Sequence, residues 1–189
     1  STIEKDSCQY DDVQEIFWAT GACMFIRASI FHELNGFDEE FFAHMEEIDL
    51  CWRIQNKGYR IFCVPQSEVY HVGGGTLPKH DSGKTYLNFR NNLMMIHKNL
   101  PAEALFGVFI IRLFLDGIAG LKFLLEGGFA DFIAVIKAHS YFYRNFRKRN
   151  HIRKETQSVI LNPNKKNIYQ HSIVIDYFVK RKKYFSELK

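Results

Sequence analysis

The sequence predicts a helix-rich α/β fold for this chain of 189 residues. Short apolar runs before residue 73 are separated by glycine and proline, a pattern that is typical of brief strands and turns. Beyond residue 83 the apolar residues instead recur with helical spacing over three long stretches. The character changes at Pro101, so we expect a mixed unit over 1–101, a helical hairpin over 102–154 and a basic tail over 155–189.

The first predicted elements are a short strand region and two helices. Residues 16–26 are apolar but broken by a Thr-Gly pair, which predicts two short strands or one strand and a turn. Residues 27–34 are predicted to form a short helix because an Asn-Gly pair, a common helix stop, follows them. A longer helix is predicted over 40–57, with Asp38 as its N-cap and Gly58 as the residue beyond its end.

Two further strands and one helix complete the mixed unit. Residues 60–64 alternate weakly and stop at a proline, and residues 69–72 form a second short alternating run. Residues 84–99 have helical spacing and end before Pro101, because proline disfavours helical backbone in the residue that precedes it. Strands and helices are therefore predicted to alternate up to residue 101.

The hairpin prediction rests on the apolar stretch 104–125, which is interrupted by Arg112, Asp116 and Lys122. On a helical wheel these charges fall within an arc of about 120°, which predicts an amphipathic helix. Its apolar face either packs against the next helix and the catalytic core or lies in the headgroup region of a membrane. A Gly-Gly pair separates it from a second apolar helix predicted over 129–146. We expect no transmembrane span, because a span needs roughly 18 apolar residues and these charges interrupt the run.

Charge is divided unevenly along the chain. Residues 1–50 carry a net charge of −10, whereas residues 51–189 carry +14. Such a split predicts an acidic site in the first part and a polyanionic partner for the rest. No nucleic-acid binding motif accompanies the basic residues, so we expect an anionic membrane surface rather than a nucleic acid. The four cysteines lack CxxC spacing, which favours buried free thiols in a reducing compartment.

Four segments between residues 20 and 75 carry the chemistry: TGACMFIR, NGFDEEFFAHMEEIDLCWR, KGYRIFCVP and VYHVGGG. In order, spacing and chemistry they resemble the C-terminal half of the catalytic domain of family 2 glycosyltransferases, which are inverting enzymes with a GT-A fold. The bacterial members that are similar to rhamnosyltransferases look closest. The resemblance covers 17–101, with looser similarity through residue 154. It implies a nucleotide-diphospho-sugar donor and a glycan or lipid-linked acceptor in cell-surface polysaccharide synthesis.

The acidic cluster Glu46, Glu47 and Asp49 is the predicted catalytic centre. An inverting transfer needs one carboxylate to take the proton of the acceptor hydroxyl, and adjacent like charges raise one another's pKa, which suits a base. The resemblance implies that Glu47 is the base, with Glu46 in reserve and Asp49 orienting its neighbours. A solvated acidic first turn, stabilised by the helix dipole, is the alternative for the same residues.

A metal site is predicted at His71, which precedes three glycines. The resemblance implies that His71 binds the divalent cation, Mn²⁺ or Mg²⁺, that accompanies the nucleotide diphosphate, and neutral imidazole is an ordinary ligand of Mn²⁺. Gly73 and Gly74 would let backbone amides approach phosphate. The alternative for His71 is a structural histidine at a strand end. His44 lies three residues before Glu47, and simple packing explains it as well as a role in the site does.

Two further segments are predicted to bind substrate. Thr20, Gly21 and Ala22 match the part of the family that lines the donor-sugar pocket, although a tight turn in the core explains these residues equally well. Arg90 begins an Arg-Asn pair that recurs in the family, and we predict that it contacts substrate. Whether this pair serves phosphate or the fold stays open at the level of sequence.

The family's DxD motif, which belongs to its nucleotide-binding half, does not occur in this sequence. We therefore expect this chain alone to be inactive in transfer, as the portion that carries the acceptor site and the catalytic base. The alternative is a non-catalytic module for membrane docking or oligomerisation. We expect a cytoplasmic location, with the hairpin and basic tail at the inner face of the cell membrane. We also expect that the chain can associate with further copies of itself as a homo-oligomer.

Overall fold

The computed structural model describes residues 4–5, 7–71, 81–160, 168–169 and 171–188. Most of the described chain is helical and two strands form one small sheet, which agrees with the predicted helix-rich α/β class. The elements follow in this order: β1 (Gln14–Ile16), α1 (Ala28–Glu33), a 3-10 helix (Glu39–Phe41), α2 (Glu46–Asn56), β2 (Ile61–Cys63), α3 (Ser82–Asn99), α4 (Ala102–Leu125), α5 (Phe129–Arg144), α6 (Phe146–Ser158), α7 (Ile173–Phe178) and a second 3-10 helix (Phe185–Glu187).

The small sheet pairs β1 with β2 in antiparallel fashion, with Gln14 opposite Cys63. The strand predicted over 60–64 is therefore confirmed. The strand predicted within 16–26 is wrong apart from Ile16, where β1 ends, whereas the predicted turn is present and is closed by the hydrogen bond from the Cys23 N–H to the Thr20 carbonyl oxygen.

The strand predicted over 69–72 is wrong for residues 69–71, which follow an irregular path, while Val72 lies outside the described residues. Val69 is 52% exposed and Tyr70 is 95% exposed. Alternation predicts a strand only where a neighbouring strand completes the hydrogen bonds and another layer covers one face. Over the described part of the chain, the sheet stops at two strands and offers this segment no partner.

Helix α2 begins at Glu46, later than the start predicted at residue 40. Asp38 caps the short 3-10 helix instead, and its carboxylate accepts a hydrogen bond from the Glu40 N–H at 3.1 Å. The intervening loop contains three non-glycine residues with positive φ angles, which a right-handed helix excludes: Phe42 (62°), His44 (69°) and Met45 (72°). The predicted helix end is confirmed, since Gly58 follows it with a φ of 89°.

The remaining helices largely follow the predictions. The helices expected over 27–34 and 84–99 are present as α1 and α3, and Gly127, with a φ of 81°, turns the hairpin between α4 and α5. The helix expected over 129–146 ends early, because the chain breaks between α5 and α6 at Asn145. The side-chain amide of Asn145 donates to the Tyr141 carbonyl oxygen at 2.8 Å, and asparagine competes with the helical backbone through such hydrogen bonds.

The core forms where α3 packs against α5 and α6. Phe41, Leu93 and Phe142 are at most 1% exposed there. Phe41 is the last residue of the 3-10 helix before α2, so the loop that follows it starts from a residue anchored in the main core. The same core therefore determines where the first turn of α2 lies.

The four cysteines are free thiols, as predicted. The expectation that they are buried is correct for Cys51 and wrong for Cys8 and Cys63, which are exposed, while Cys23 is half-buried. Cys63 belongs to β2, whose residues stay partly exposed because a single strand flanks it.

Helix α4 buries Asp116 against α5 and leaves much of its apolar surface exposed, while Lys122 is also exposed. Asp116 is 2% exposed, accepts from Arg112 at 2.5 Å and lies 3.0 Å from His139 of α5. Phe106 and Leu125, in contrast, are each 79% exposed. This polarity is the reverse of that of a helix on the surface of a water-soluble domain, which buries its apolar stripe.

Helix α4 is also the one helix within the described ranges that is long and apolar enough to cross a membrane, judged by length and composition alone. It has 24 residues, a mean hydropathy of 2.0 over its most apolar window, and 11% of that window buried. The charges of α4 therefore do not by themselves exclude a span. A core helix of a soluble protein passes the same test, so composition does not decide how α4 is used.

Candidate active site at the first turn of helix α2

Glu46 and Glu47 form the first turn of α2, which starts from a left-handed N-cap at Met45. Both side chains are half-buried. In each carboxylate the Oε2 atom is buried and has no hydrogen-bond partner among the described residues, and the same is true of Nε2 of His44. Because buried polar atoms are normally paired, three unpaired atoms in one short segment mark a place where a polar ligand gains hydrogen bonds.

The surroundings of Glu47 suit a general base. Burial is the largest influence and raises the pKa of Glu47 above its ordinary value. Its own backbone N–H lowers this pKa, the charge of Glu46 raises it, and His44 has a smaller lowering effect. A carboxylate with a raised pKa is a stronger base than an exposed one, which helps it take a proton from a hydroxyl group.

The predicted donor-sugar segment lies beside the acid pair. A β-carbon built on Gly21 would lie 4.0 Å from the Cβ atom of Glu47. Thr20 and Ala22 are exposed in the same turn, which the hydrogen bond from the Cys23 N–H to the Thr20 carbonyl oxygen closes at 3.2 Å. This turn is therefore at the surface rather than in the core, and two of the predicted site segments meet there.

Two contacts along α2 hold that segment in place. The Ala19 backbone N–H donates to the Cys51 sulfur, and the Gln55 side-chain amide donates to the carbonyl oxygen of Phe17. Glu47, Cys51 and Gln55 are spaced four residues apart, so they share one face of the helix. The face of α2 that carries Glu47 is therefore the face on which this segment rests.

Asp49 lies on another side of α2 and is fully buried. It accepts hydrogen bonds from Arg53 Nε at 2.8 Å, from Lys98 Nζ at 3.0 Å and from Asn99 Nδ2 at 2.7 Å. Lys98 also pairs with Asp38 at 2.7 Å. Asp49 thus connects α2 to α3 through cations and an amide, which fits the orienting role that the resemblance implies for it.

Arg90 lies behind the loop that leads into α2. Its Nη2 atom donates to the carbonyl oxygens of Glu40 at 2.8 Å and Phe41 at 3.1 Å. Its guanidinium carbon lies 5.4 Å from the ring centroid of Tyr86 and 5.3 Å from that of Tyr141. These contacts favour a role for Arg90 in the fold over a contact with phosphate.

His71 is exposed at the end of an irregular segment, and Gly73 and Gly74 lie outside the described residues. Over the ranges that the structure describes, no group of three or more His, Cys, Asp or Glu side chains is arranged to hold a metal ion. The described residues therefore do not form a cation site by themselves, and one histidine could supply only one ligand.

A cavity of about 950 Å³ opens beside the small sheet. Apolar side chains form much of its wall, among them Trp18, Met24 and Phe62. Of the predicted site residues that the structure describes, Thr20 alone lines it. The acid pair is therefore outside this cavity and is connected to it through the turn that Thr20 shares with Gly21.

The chain is similar to curated sugar transferases over part of its length. It is 41% identical over 54 residues to the N-acetylglucosaminyl-diphospho-decaprenol L-rhamnosyltransferase of Mycobacterium tuberculosis, and 39% identical over 69 residues to rhamnosyltransferase WbbL of Escherichia coli. It is 30% identical over 77 residues to the low-salt glycan biosynthesis hexosyltransferase Agl10 of Haloferax volcanii. These stretches cover 29%, 36% and 40% of this chain, respectively.

The same stretches cover 18%, 25% and 25% of the three relatives, so the matched part of this chain spans a quarter of their length or less. No family model matches the chain, and no solved structure matches it significantly. The two rhamnosyltransferases and the hexosyltransferase nevertheless confirm the resemblance that the four sequence segments predict. Over the matched stretches the chain is therefore similar to glycosyltransferases, two of which are rhamnosyltransferases.

Proposed function

We propose that this chain is the portion of an inverting, GT-A-fold glycosyltransferase that carries the catalytic base and the acceptor site. The whole enzyme would move a sugar from a nucleotide-diphosphate donor to a glycan or lipid-linked acceptor in cell-surface polysaccharide synthesis. One observation carries the proposal: Glu46 and Glu47 open α2 half-buried, with unpaired buried oxygens, against Gly21. The relatives support it, since each is named as a sugar transferase and one name includes a sugar linked to diphospho-decaprenol.

Glu47 acts as the base in this proposal. The acceptor hydroxyl oxygen forms a bond to the anomeric carbon of the donor sugar while the bond from that carbon to the diphosphate breaks. The diphosphate leaves with the electron pair, and the hydroxyl proton passes to Glu47. Because the acceptor attacks from the side opposite the leaving group, the configuration at the anomeric carbon is inverted.

The other predicted residues support this step by position. Gly21 has no side chain, which keeps the space next to Glu47 open for a sugar ring. Thr20 and Ala22 would contact that sugar from the same turn. Asp49 holds α2 against α3 through its buried ion pairs, so the first turn of the helix stays fixed while substrates bind.

A divalent cation, Mn²⁺ or Mg²⁺, would neutralise charge on the departing diphosphate when bound, and His71 would supply one of its ligands. The test is calorimetric affinity of the full-length protein for a nucleoside diphosphate, with and without Mn²⁺. We expect His71→Ala to reduce the increase in affinity that Mn²⁺ produces. An unchanged increase would make His71 a structural residue.

The reaction class is tested by stereochemistry. The full-length protein is incubated with a nucleotide-diphospho-sugar of known anomeric configuration and a lipid-linked acceptor, and the product is analysed by NMR. We expect the new glycosidic bond to have the opposite configuration. Retention would contradict a single displacement with Glu47 as base.

A second proposal concerns the location of the protein: α4 and α5 dock on an anionic membrane surface, on the cytoplasmic side. Phe106 and Leu125 are each 79% exposed and Phe114 is 69% exposed, so the outer face of α4 is a large apolar surface. The charges of Arg112 and Asp116 are paired with each other and turned toward α5, so contact of the outer face with lipid would not dehydrate them.

The charges that follow the hairpin favour lipid over a second copy of the chain. Arg144, Arg147 and Lys154 are exposed on and after the end of α5, and the net charge over 137–189 is +11. Anionic headgroups attract such a segment, whereas two copies facing one another would repel. If membrane binding holds and transfer activity fails, the chain is a membrane-docking module instead of part of an enzyme.

A further inference from the structure

The loop that leads into α2 has a strained backbone. Phe42 adopts φ 62° and ψ −57°, and the Ala43 N–H donates to the Phe41 carbonyl oxygen at 2.7 Å, which together define a γ-turn of the rare, strained kind. His44 and Met45 follow in the left-handed region, with φ angles of 69° and 72°. Such a path persists only where surrounding contacts enforce it.

The side chain of Phe42 does not supply those contacts, since it is 81% exposed. They come from α3, where the buried Asn91 places its Nδ2 atom 2.8 Å from each of three loop carbonyl oxygens, those of Phe41, Ala43 and His44. An amide nitrogen carries two hydrogens, so at least one of them is shared between two acceptors.

Arg90 determines which way that amide faces. Its Nε donates to the Asn91 Oδ1 atom at 2.8 Å, so the amide oxygen is held on the arginine side and the amide nitrogen on the loop side. Arg90 also donates to the Glu40 and Phe41 carbonyl oxygens, in the 3-10 helix just before the loop. Two consecutive residues of α3 thus bind backbone carbonyl groups between Glu40 and His44, the residue before the N-cap.

We propose that Asn91, oriented by Arg90, is a positioning residue that keeps the loop out of helical conformation and so places the acid pair in the first turn of α2. The local sequence favours a continuous helix over 40–57. In such a helix the three carbonyl groups that Asn91 binds would instead accept hydrogen bonds from backbone N–H groups four residues later. Without Asn91 we expect α2 to extend backwards, which would move Glu46 and Glu47 into the helix interior. The consequence for catalysis rests on the proposed function, whereas the consequence for the loop does not.

The loop is tested first, on this chain, by hydrogen exchange of the backbone amides of residues 42–47 followed by mass spectrometry. Asn91→Asp keeps the size of the side chain but sets a carboxylate oxygen against three carbonyl oxygens. We expect exchange at the residues before Glu46 to change by at least about tenfold, which corresponds to about 1.4 kcal/mol. Arg90→Lys, which loses the Nε donor, should change exchange in the same segment by a smaller factor.

Thr85→Val is the matched control on α3. It removes the hydrogen bond from Thr85 Oγ1 to Asp131 Oδ1, 2.6 Å long, and leaves the loop contacts intact. We expect it to lower overall stability without altering exchange at 42–47. If Asn91→Asp and Arg90→Lys change the loop no more than Thr85→Val does, the proposal is overturned. The Arg90→Lys variant keeps this test valid if Asn91→Asp does not fold.

Turnover in the full-length protein is the second readout. We expect Asn91→Asp to lower kcat by roughly 10²-fold, the cost of a small displacement of a catalytic group, with the KM for the donor changed much less. If Asn91→Asp changes hydrogen exchange at residues 42–47 but turnover stays normal and still depends on Glu47, the positioning role is overturned. Turnover that does not depend on Glu47 in the parent protein would overturn the proposed function and leave the loop result standing.

Discussion

Gly21 lies directly against Glu47, with 4.0 Å between a β-carbon built on the glycine and the Cβ atom of the glutamate. The backbone of Gly21 is outside the left-handed region that only glycine adopts easily. The advantage of glycine at this position is therefore the space that it leaves beside Glu47, not its conformational freedom. The proposed donor-sugar turn and the proposed base are therefore neighbours, although 26 positions separate them in the sequence.

Gly21 yields a size-dependent prediction. A methyl group fits at an ordinary contact distance, so Gly21→Ala should change the free energy of unfolding by less than about 1 kcal/mol. Gly21→Leu extends into the space beside Glu47 and should lower turnover of the full-length protein by at least roughly tenfold through misplaced substrate. Thermal melts and turnover measure the two effects. Equal turnover for both variants would show that no substrate occupies that space.

Asp49 should be essential for stability. Asp49→Asn removes the charge that pairs with Arg53 and Lys98, whose side chains are only 11% and 12% exposed. Lys98 keeps its pair with Asp38, whereas Arg53 loses the carboxylate that it pairs with. Breaking a buried ion pair in this way costs about 3–5 kcal/mol, which urea unfolding measures. Glu33→Gln is the control, because the Glu33–Lys57 pair is more exposed and its loss should cost less than about 1 kcal/mol. Similar losses in the two variants would contradict the structural role of Asp49.

The stability of the chain should depend on pH through His97, which is 3% exposed beside the rings of Phe109 and Phe142. Burial, with a smaller effect of the Arg153 charge, lowers the pKa of His97 to about 4 from 6.5. Between these values the unfolded chain binds the proton and the folded chain does not. The free energy of unfolding should therefore fall as pH drops from about 6.5 to about 4, by at most about 3 kcal/mol.

His97→Leu should remove this part of the pH dependence. The control His151→Leu should keep it, because the side chain of His151 is 74% exposed. Urea unfolding of both variants between pH 7.5 and 4.5 makes the comparison. Identical pH profiles for His97→Leu and the parent chain would show that other groups cause the loss of stability.

Membrane docking should have an apolar and an electrostatic component. We expect the chain to float with anionic liposomes, less so in high salt, since the Debye length shrinks from about 10 Å at 0.1 M to about 3 Å at 1 M. Replacing Phe106 and Phe114 together by serine should abolish the salt-resistant part. Phe25→Ser is the control, as this residue is 90% exposed but outside the hairpin.

A chain that ignores anionic liposomes even at low salt would contradict the membrane proposal. The outer face of α4 would then be a protein contact, and sedimentation of the chain over a concentration series would show whether a second copy covers it.

Local signals in the sequence predicted several elements correctly. The glycines at positions 58 and 127 predicted the helix ends correctly. The positive φ angles that these turns need are adopted without steric strain only by glycine. Motif order predicted the acid pair and the turn at residues 20–22 as site segments, and their roles stay predictions. Their proximity was not predicted, since it depends on contacts of Cys51 and Gln55 with a distant segment along α2.

The errors arise where residues distant in sequence decide the local structure. The start of α2 was placed too early because the break over 42–45 is enforced by Asn91, about 50 positions away. Lys98 was not predicted, because a lysine in the last turn of a helix is common and only the fold brings it beside Asp49. The burial of Asp116 was not predicted either, because its partner His139 lies on the next helix.

The most direct test of the account is turnover of the full-length protein with Glu47→Gln, compared with Glu46→Gln as the matched neighbour. Glutamine keeps the size of the side chain and removes the base, so Glu47→Gln should lower turnover by about 10²–10⁴-fold while donor affinity stays nearly normal. Glu46→Gln should have a much smaller effect. Near-normal turnover of Glu47→Gln would contradict the account and transfer the role of base to Glu46 or Asp49.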